Sequence, residues 1–189
     1  MFGPFQPPWY LRSGQIQTVL ASMSLRAWGK NPMRDTAEEV TIKTPQGIRL
    51  QGYHSPQGST HPRGLVILLH GWEGSADSTY IACTGRALYQ CGYDIFRLNF
   101  RDHGSSHHLN PGIFYAVLLE EVFQAVRQIS RIVEENPVFL VGFSLGGNFA
   151  LRIARQMRHA PIKNLGHVVA ISPVLDPKKA TVRIDGQAL

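Results

Sequence analysis

Short apolar runs mark the framework of the chain. Residues 65–69, 138–141 and 167–171 are almost entirely apolar, without polar alternation. Such runs are typical of strands that are buried on both faces, as in a parallel sheet. Residues 93–100 are predicted as a further strand. We therefore expect parallel strands at the centre of the molecule.

Helical periodicity fills the intervals between these strands. Apolar residues recur at i, i+3 and i+4 over residues 118–133, and one apolar face follows Ser144. A further helix is predicted at 78–90 and a short one at 15–22. Strands that alternate with helices indicate an α/β fold, with a mostly parallel sheet and helices on both of its faces.

The N-terminal part follows a different pattern. Val40, Ile42, Ile48 and Leu50 alternate with polar residues around a Pro-Gln-Gly turn at 45–47. This alternation predicts a hairpin of two strands at an antiparallel edge of the sheet. Residues 1–37 are rich in proline and are predicted to be an irregular N-terminal segment, and residues 38–189 to form the α/β domain.

Composition and charge narrow the class of protein. The 189 residues suffice for one domain, and a hydrophobic content of 43% with 17% charged residues is ordinary for a soluble globular protein. The net charge is +6, but the lysines and arginines are scattered, which argues against nucleic-acid binding. Peripheral contact with an anionic membrane surface stays open on this ground.

The N-terminal sequence and the cysteines favour a cytoplasmic location. The first ten residues contain three prolines and no charged side chain, unlike a secretory signal. The longest apolar stretch is much shorter than a membrane span. Cys83 and Cys91 do not form a disulfide framework and are predicted to be reduced thiols. We expect a soluble cytoplasmic protein.

The strongest chemical signal is the pentapeptide Gly142-Phe143-Ser144-Leu145-Gly146. It lies between a predicted buried strand and a predicted helix, which is the context that a G-x-S-x-G nucleophile requires. The sharp turn needs small residues on both sides of the serine, and the two glycines supply them. Ser144 is therefore the candidate catalytic nucleophile. The amide of Leu145, at the start of the helix, is a candidate oxyanion-hole donor. The alternative is a turn that merely joins strand to helix.

A second loop, His70-Gly71-Trp72, follows the strand at 65–69. In folds with this motif, the loop after the third strand supplies the second oxyanion donor. The amide of Trp72 is our candidate for that donor. His70 is predicted to be structural, with a ring that hydrogen-bonds the loop, and direct proton transfer by His70 is the less favoured alternative.

Other polar residues are predicted to have structural roles. A metal site is one hypothesis for the loop that carries Asp102, His103, His107 and His108, but neighbours in one loop rarely converge on a metal, so an internally hydrogen-bonded loop is favoured. Glu120 and Glu121 are predicted to lie on the exposed or boundary face of a helix and to solvate it. Asp176 lies where a catalytic acid could lie, but its proline neighbours favour a turn.

These motifs together resemble the YheT-like branch of the α/β-hydrolase superfamily. The resemblance covers nearly the whole chain and rests on five segments: residues 11–18, 70–75, 99–104, 142–148 and 171–173. It implies the α/β-hydrolase fold and an ester hydrolase with a Ser-Asp-His triad that needs no metal and no organic cofactor. The implied substrate is a small-molecule ester, and animal relatives in this branch act on lipid esters.

The chain departs from the resemblance at its C-terminal end. The family's catalytic acid and histidine, and its last two strands, come later than Leu189. We therefore expect a C-terminally truncated member with little or no triad catalysis and with an unpaired hydrophobic sheet edge that impairs folding. Two alternatives stay open, a non-catalytic scaffold that binds a ligand or partner and a peripheral membrane lipase. The sequence leaves the oligomeric state open.

Overall fold

The computed structural model describes residues 6–22, 29–59, 61–133 and 135–185. Its six α-helices within these ranges are α1 (Gly14–Ser22), α2 (Pro32–Asp35), α3 (Thr79–Gln90), α4 (Leu119–Ile129), α5 (Leu145–Gln156) and α6 (Pro177–Asp185). Short 3-10 helices span Trp9–Leu11 and Ser130–Val133. The strands are β1 (Glu38–Lys43), β2 (Arg49–Ser55), β3 (Leu65–Leu69), β4 (Asp94–Leu98), β5 (Val138–Phe143) and β6 (Leu165–Ile171). In the described ranges, no helix combines the length and the apolar character that a membrane span needs.

The six strands form one sheet in the order β1-β2-β4-β3-β5-β6. Strands β4, β3, β5 and β6 are mutually parallel, and β3 lies between β4 and β5. The hairpin of β1 and β2 adds antiparallel to β4. The predicted fold class, the mostly parallel sheet and the antiparallel edge are thus confirmed.

Helices cover both faces of the sheet because successive side chains of a buried strand point to opposite faces. In β3, Leu65, Ile67 and Leu69 belong to a core that also holds apolar residues of α4 and α5. Val66 and Leu68 belong to a second core with Ile81 and Tyr89 of α3. The uninterrupted apolar run of β3 follows from this burial on two sides.

Part of the predicted N-terminal segment packs on the domain. Met33 of α2 is fully buried in the core on the α3 side. A Cβ atom at Gly85 of α3 would lie 2.5 Å from the Met33 sulfur, so the two helices approach closely. The backbone carbonyl of Met33 accepts a hydrogen bond of 2.6 Å from Ser55. Residues 1–5 and 23–28 of this segment lie outside the described residues.

Burial of β6 differs from the prediction. The run 167–171 was expected to be buried on both faces, but Val169 is 47% and Ile171 39% exposed. Strand β6 lies at the end of the sheet, and helix α5 packs against it. Val168 contacts the core on the α4 and α5 side, whereas the side chains directed to the other face are solvent-exposed. The prediction of two-sided burial is therefore wrong for β6.

Two acidic residues near the starts of helices can also be compared with their predicted roles. Glu121 was predicted to solvate an exposed or boundary face of the helix, but it is 6% exposed and pairs with Arg101. That prediction is wrong, because the first turn of α4 packs under the loop that follows β4. Asp176 accepts a hydrogen bond of 3.0 Å from the Lys179 amide at the start of α6, a helix that the sequence pattern does not predict. Asp176 therefore caps the start of α6 rather than forming the turn that its proline neighbours favoured.

Candidate active site

Backbone strain is concentrated at one edge of the sheet. Among the described residues, four non-glycine residues have a positive φ: Glu73 (53°), Asp102 (59°), Ser144 (50°) and Ser172 (46°). They follow β3, β4, β5 and β6 respectively, and these four strands are parallel. The carboxyl ends of parallel strands share one edge, where ligands bind in open α/β sheets. Strained residues of this kind cluster at functional sites, so this edge is the candidate active site.

Ser144 lies in the turn between β5 and α5. It has φ 50° and ψ −111° and joins β5 directly to α5. Its amide donates a 2.9 Å hydrogen bond to the Ile171 carbonyl at the end of β6. A Cβ atom at Gly142 would lie 2.1 Å from the Gly146 oxygen, and one at Gly146 would lie 2.5 Å from the oxygens of Leu69 and His70. The two glycines are therefore required by the close approach of backbone to backbone.

Leu145 is the first residue of α5. The amides of the first helical turn have no acceptor within the helix and point out of its N-terminus. The partial positive charge of the helix end lies at the same place. The amide of Leu145 is therefore suited to a developing negative charge beside Ser144.

The turn after β3 lies against Ser144. It is closed by a 3.1 Å hydrogen bond from the Gly74 amide to the Gly71 carbonyl, and Trp72 and Glu73 lie between them. A Cβ atom at Gly71 would be only 3.4 Å from the Cβ of Ser144. The structure thus brings the backbone beside Trp72, the start of α5 and Ser144 together. The side chain of Trp72 is 69% exposed.

His70 is fully buried under this turn. Its Nδ1 lies 2.7 Å from the Gly71 carbonyl, and its Nε2 lies 3.2 Å from the Phe100 amide. The amide can only donate, so Nε2 accepts and Nδ1 carries the proton. Burial lowers the pKa of His70 to about 4, which keeps the ring neutral. Both nitrogens are engaged, as expected for a structural histidine that hydrogen-bonds the loop.

The loop after β4 is hydrogen-bonded internally, as the sequence suggests. His107 Nδ1 lies 2.6 Å from an Asp102 carboxylate oxygen, and His103 Nδ1 lies 2.8 Å from the Arg101 carbonyl. Within the described residues, no group of three or more potential ligands has a geometry that could hold a metal ion. This loop and the turn after β3 line an open cleft of about 480 Å³, whose lining residues are Trp72, Glu73, Gly74, Asp102, His103, Gly104, His107, Ile113 and Phe114.

Two residues of the site were missed at the sequence level. Asn99 accepts a 2.7 Å hydrogen bond from the Ala76 amide, and Arg97 donates a 2.9 Å hydrogen bond to the Ala76 carbonyl. Arg97 also pairs with Asp77 at 2.9 Å and is 2% exposed. They anchor the loop between β3 and α3 on β4. The sequence signal that could have revealed Arg97 is a charged residue inside a strand that is otherwise predicted to be buried.

The hydrogen bonds of the described histidine rings run to partners other than Ser144. None of their ring nitrogens is hydrogen-bonded to the Ser144 hydroxyl. The described part of the site therefore brings Ser144 together with the start of α5 and with the turn that contains Trp72.

Comparison with known proteins identifies the family. A family model described as the alpha/beta hydrolase fold matches residues 64–189. The chain belongs to the alpha/beta hydrolase fold family. A Synechocystis sp. protein named as an esterase is 29% identical over 153 residues, which are 78% of this alpha/beta hydrolase and 41% of that protein. A serine hydrolase-like protein of Danio rerio is 32% identical over 130 residues, 69% of this chain and 37% of its own length.

Solved structures agree on the fold. An esterase of Pyrococcus furiosus superposes on this alpha/beta hydrolase with a TM-score of 0.67 at 23% identity. The match covers 85% of this chain and 57% of the esterase. The chain therefore spans less than half the length of the two relatives and little more than half of this solved structure.

Proposed function

We propose that this alpha/beta hydrolase is a serine hydrolase that cleaves carboxylic esters through an acyl-enzyme on Ser144. The observation that carries the proposal is the strained turn of Ser144 between β5 and α5, with φ 50° and ψ −111°. Strain of this size is retained where the surrounding structure fixes it, and here it presents a hydroxyl beside a helix N-terminus. Relatives named as an esterase and as serine hydrolase-like support the same reaction class.

The proposed reaction has two steps. Ser144 Oγ attacks the ester carbonyl carbon, its proton passes to a base, and the carbonyl oxygen becomes an oxyanion held by the amides of Leu145 and Trp72. The carbon–oxygen bond to the alcohol then breaks, and the alcohol leaves with the proton. Water hydrolyses the acyl-enzyme by the same path, which returns Ser144 and releases the carboxylic acid.

The proposal extends to the branch of the family and to the class of substrate. We place the chain in the YheT-like branch, on the motifs around Trp72 and Ser144, with a small-molecule ester as substrate and lipid esters within that class. A cytoplasmic location is part of the same proposal, as is the absence of a nucleic-acid partner. If the substrate is a lipid ester within a membrane, the proposal includes contact of the protein with the membrane surface.

Catalysis by the 189-residue chain is expected to be weak. The hydrogen bonds of the described histidine rings run to partners other than the Ser144 hydroxyl, and removing the base of a comparable triad costs about six orders of magnitude in turnover. The second candidate function is a non-catalytic scaffold that binds a ligand or partner, and the same hydrogen bonds of the histidine rings are the observation that favours it.

Labelling with a fluorophosphonate tests the nucleophile. We expect slow, saturable labelling that peptide mapping assigns to Ser144 and that Ser144→Ala abolishes. Ser172→Ala is the matched control, since Ser172 has a similar φ of 46° at the same edge of the sheet. It should label as the unmodified chain does.

Two outcomes decide between the candidates. Equal labelling of the Ser144→Ala variant would refute the hydrolase assignment. A folded chain that is not labelled at all, at any pH or probe concentration, would favour the scaffold.

A further inference from the structure

Tyr80 reaches back from helix α3 to the turn beside Ser144. It is the second residue of α3, and its hydroxyl oxygen accepts a 2.8 Å hydrogen bond from the Gly71 amide. Gly71 is the first residue of the turn that contains Trp72. The sequence motifs gave no role to this tyrosine.

The hydroxyl also lies close to Ser144. A Cβ atom at Gly71 would be 3.4 Å from the Tyr80 oxygen and 3.4 Å from the Ser144 Cβ. The hydroxyl oxygen and the Ser144 Cβ are therefore separated by no more than twice that distance. A Cβ atom at Gly74 would lie only 2.6 Å from the same oxygen. The hydroxyl thus packs against both glycines that close the turn.

The ring of Tyr80 makes a second contact at the site. Its centroid lies 5.0 Å from that of Phe143, with an angle of 50° between the planes. Phe143 is the last residue of β5 and directly precedes Ser144. One side chain therefore contacts the turn after β3 through its hydroxyl and the end of β5 through its ring.

This arrangement has a consequence for the neighbouring amide. The Gly71 amide is occupied by Tyr80 and is not available to an oxyanion. The Trp72 amide shares its planar peptide unit with the Gly71 carbonyl, which accepts the 3.1 Å hydrogen bond from Gly74 and lies 2.7 Å from His70 Nδ1. Tyr80 holds the preceding peptide unit of the same turn through the Gly71 amide. The Trp72 amide is the donor in the proposed reaction, and donors of this kind act only when they are already oriented.

We propose that Tyr80 is a positioning residue whose hydroxyl holds the Gly71–Gly74 turn against Ser144. Its effect on chemistry rests on the proposed function, whereas its effect on the turn does not. The hydroxyl and the ring have different roles. The hydroxyl fixes the turn, and the ring positions the hydroxyl by packing on Phe143.

The test compares Tyr80→Phe with Tyr93→Phe in the full chain. Tyr80→Phe removes only the hydroxyl and keeps the ring against Phe143. Tyr93 also packs on a phenylalanine, Phe139, but directly precedes β4 at the opposite edge of the sheet, so Tyr93→Phe is the matched control. Three quantities are measured: hydrogen exchange of the Gly71 amide by NMR, the fluorophosphonate labelling rate against probe concentration, and the melting temperature.

We expect Tyr80→Phe to speed Gly71 exchange by about tenfold and to lower the maximal labelling rate by about tenfold, less than the loss of a whole oxyanion donor. The probe concentration at half-maximal rate should not change, because the altered donor acts on the reacting atoms. Tyr93→Phe should change neither rate. A merely structural role would lower the melting temperature and leave the maximal labelling rate of the folded fraction unchanged.

Failure of this inference is distinct from failure of the proposed function. Unchanged Gly71 exchange in Tyr80→Phe would overturn the positioning role, whatever the labelling shows. Faster exchange with an unchanged maximal labelling rate would overturn its chemical consequence. If the unmodified chain is not labelled, the proposed function fails, and Gly71 exchange alone then decides the positioning role.

Discussion

Gly142 has no room for a side chain. A Cβ atom there would lie 2.1 Å from the carbonyl oxygen of Gly146, which is backbone and cannot rotate away. The same contact is what allows Ser144 to make its sharp turn. At the residue scale, the turn at Ser144 therefore requires that residue 142 has no side chain.

Gly142→Ala tests this contact. We expect it to lower the free energy of unfolding by about 3 kcal/mol, because overpacking against backbone costs of this order. Chemical denaturation monitored by circular dichroism measures the change. Gly166→Ala in β6 is the control, since the nearest atom to a Cβ there is 4.0 Å away. Equal stability of the two variants would contradict the steric explanation.

The pair of Arg101 and Glu121 links two elements at the site. Arg101 lies in the loop after β4, and Glu121 lies in the first turn of α4. Burial raises the pKa of Glu121, and the hydrogen bond and charge of Arg101 oppose this rise. Glu121 Oε1 and Arg101 Nε have no hydrogen-bond partner among the described residues. The pair therefore joins loop and helix with an incomplete set of hydrogen bonds.

Removal of one partner should destabilise the protein. We expect Glu121→Ala to cost about 2–3 kcal/mol of unfolding free energy, since it leaves a largely buried guanidinium unpaired. Glu120→Ala is the control at the adjacent, exposed position, where Glu120 contacts Gln124 and Gln156. Urea denaturation of both variants measures the difference. A loss for Glu120→Ala as large as that for Glu121→Ala would show that the pair contributes nothing specific.

At the scale of the molecule, the described sheet ends in an apolar edge at β6. Val169 and Ile171 are 47% and 39% exposed, and Leu175, just beyond the strand, is 74% exposed. The described sheet ends at this strand. An edge with exposed apolar side chains is prone to pairing with another chain. This agrees with the expectation, made from sequence, of an unpaired hydrophobic edge, and its effect on folding remains a prediction.

Self-association through β6 should therefore depend on Val169. We expect the chain to associate with increasing concentration and Val169→Lys to weaken association at least about tenfold, equivalent to about 1.4 kcal/mol. Sedimentation velocity over a concentration series measures this. Val117→Lys is the control, because Val117 is 77% exposed and lies outside the edge. A chain that is monomeric and melts cooperatively at every concentration would disprove both this prediction and the expected folding defect.

The sequence by itself determined the α/β class, the parallel strands and the position of Ser144. Uninterrupted apolar runs identify buried strands because side chains on both faces must avoid water, and the glycines around Ser144 report a local backbone constraint. The tertiary structure decided what depends on contacts between distant segments. Burial of Glu121, exposure of β6 and the contact of Tyr80 with Gly71 follow from which elements pack together, and a local pattern does not contain that information.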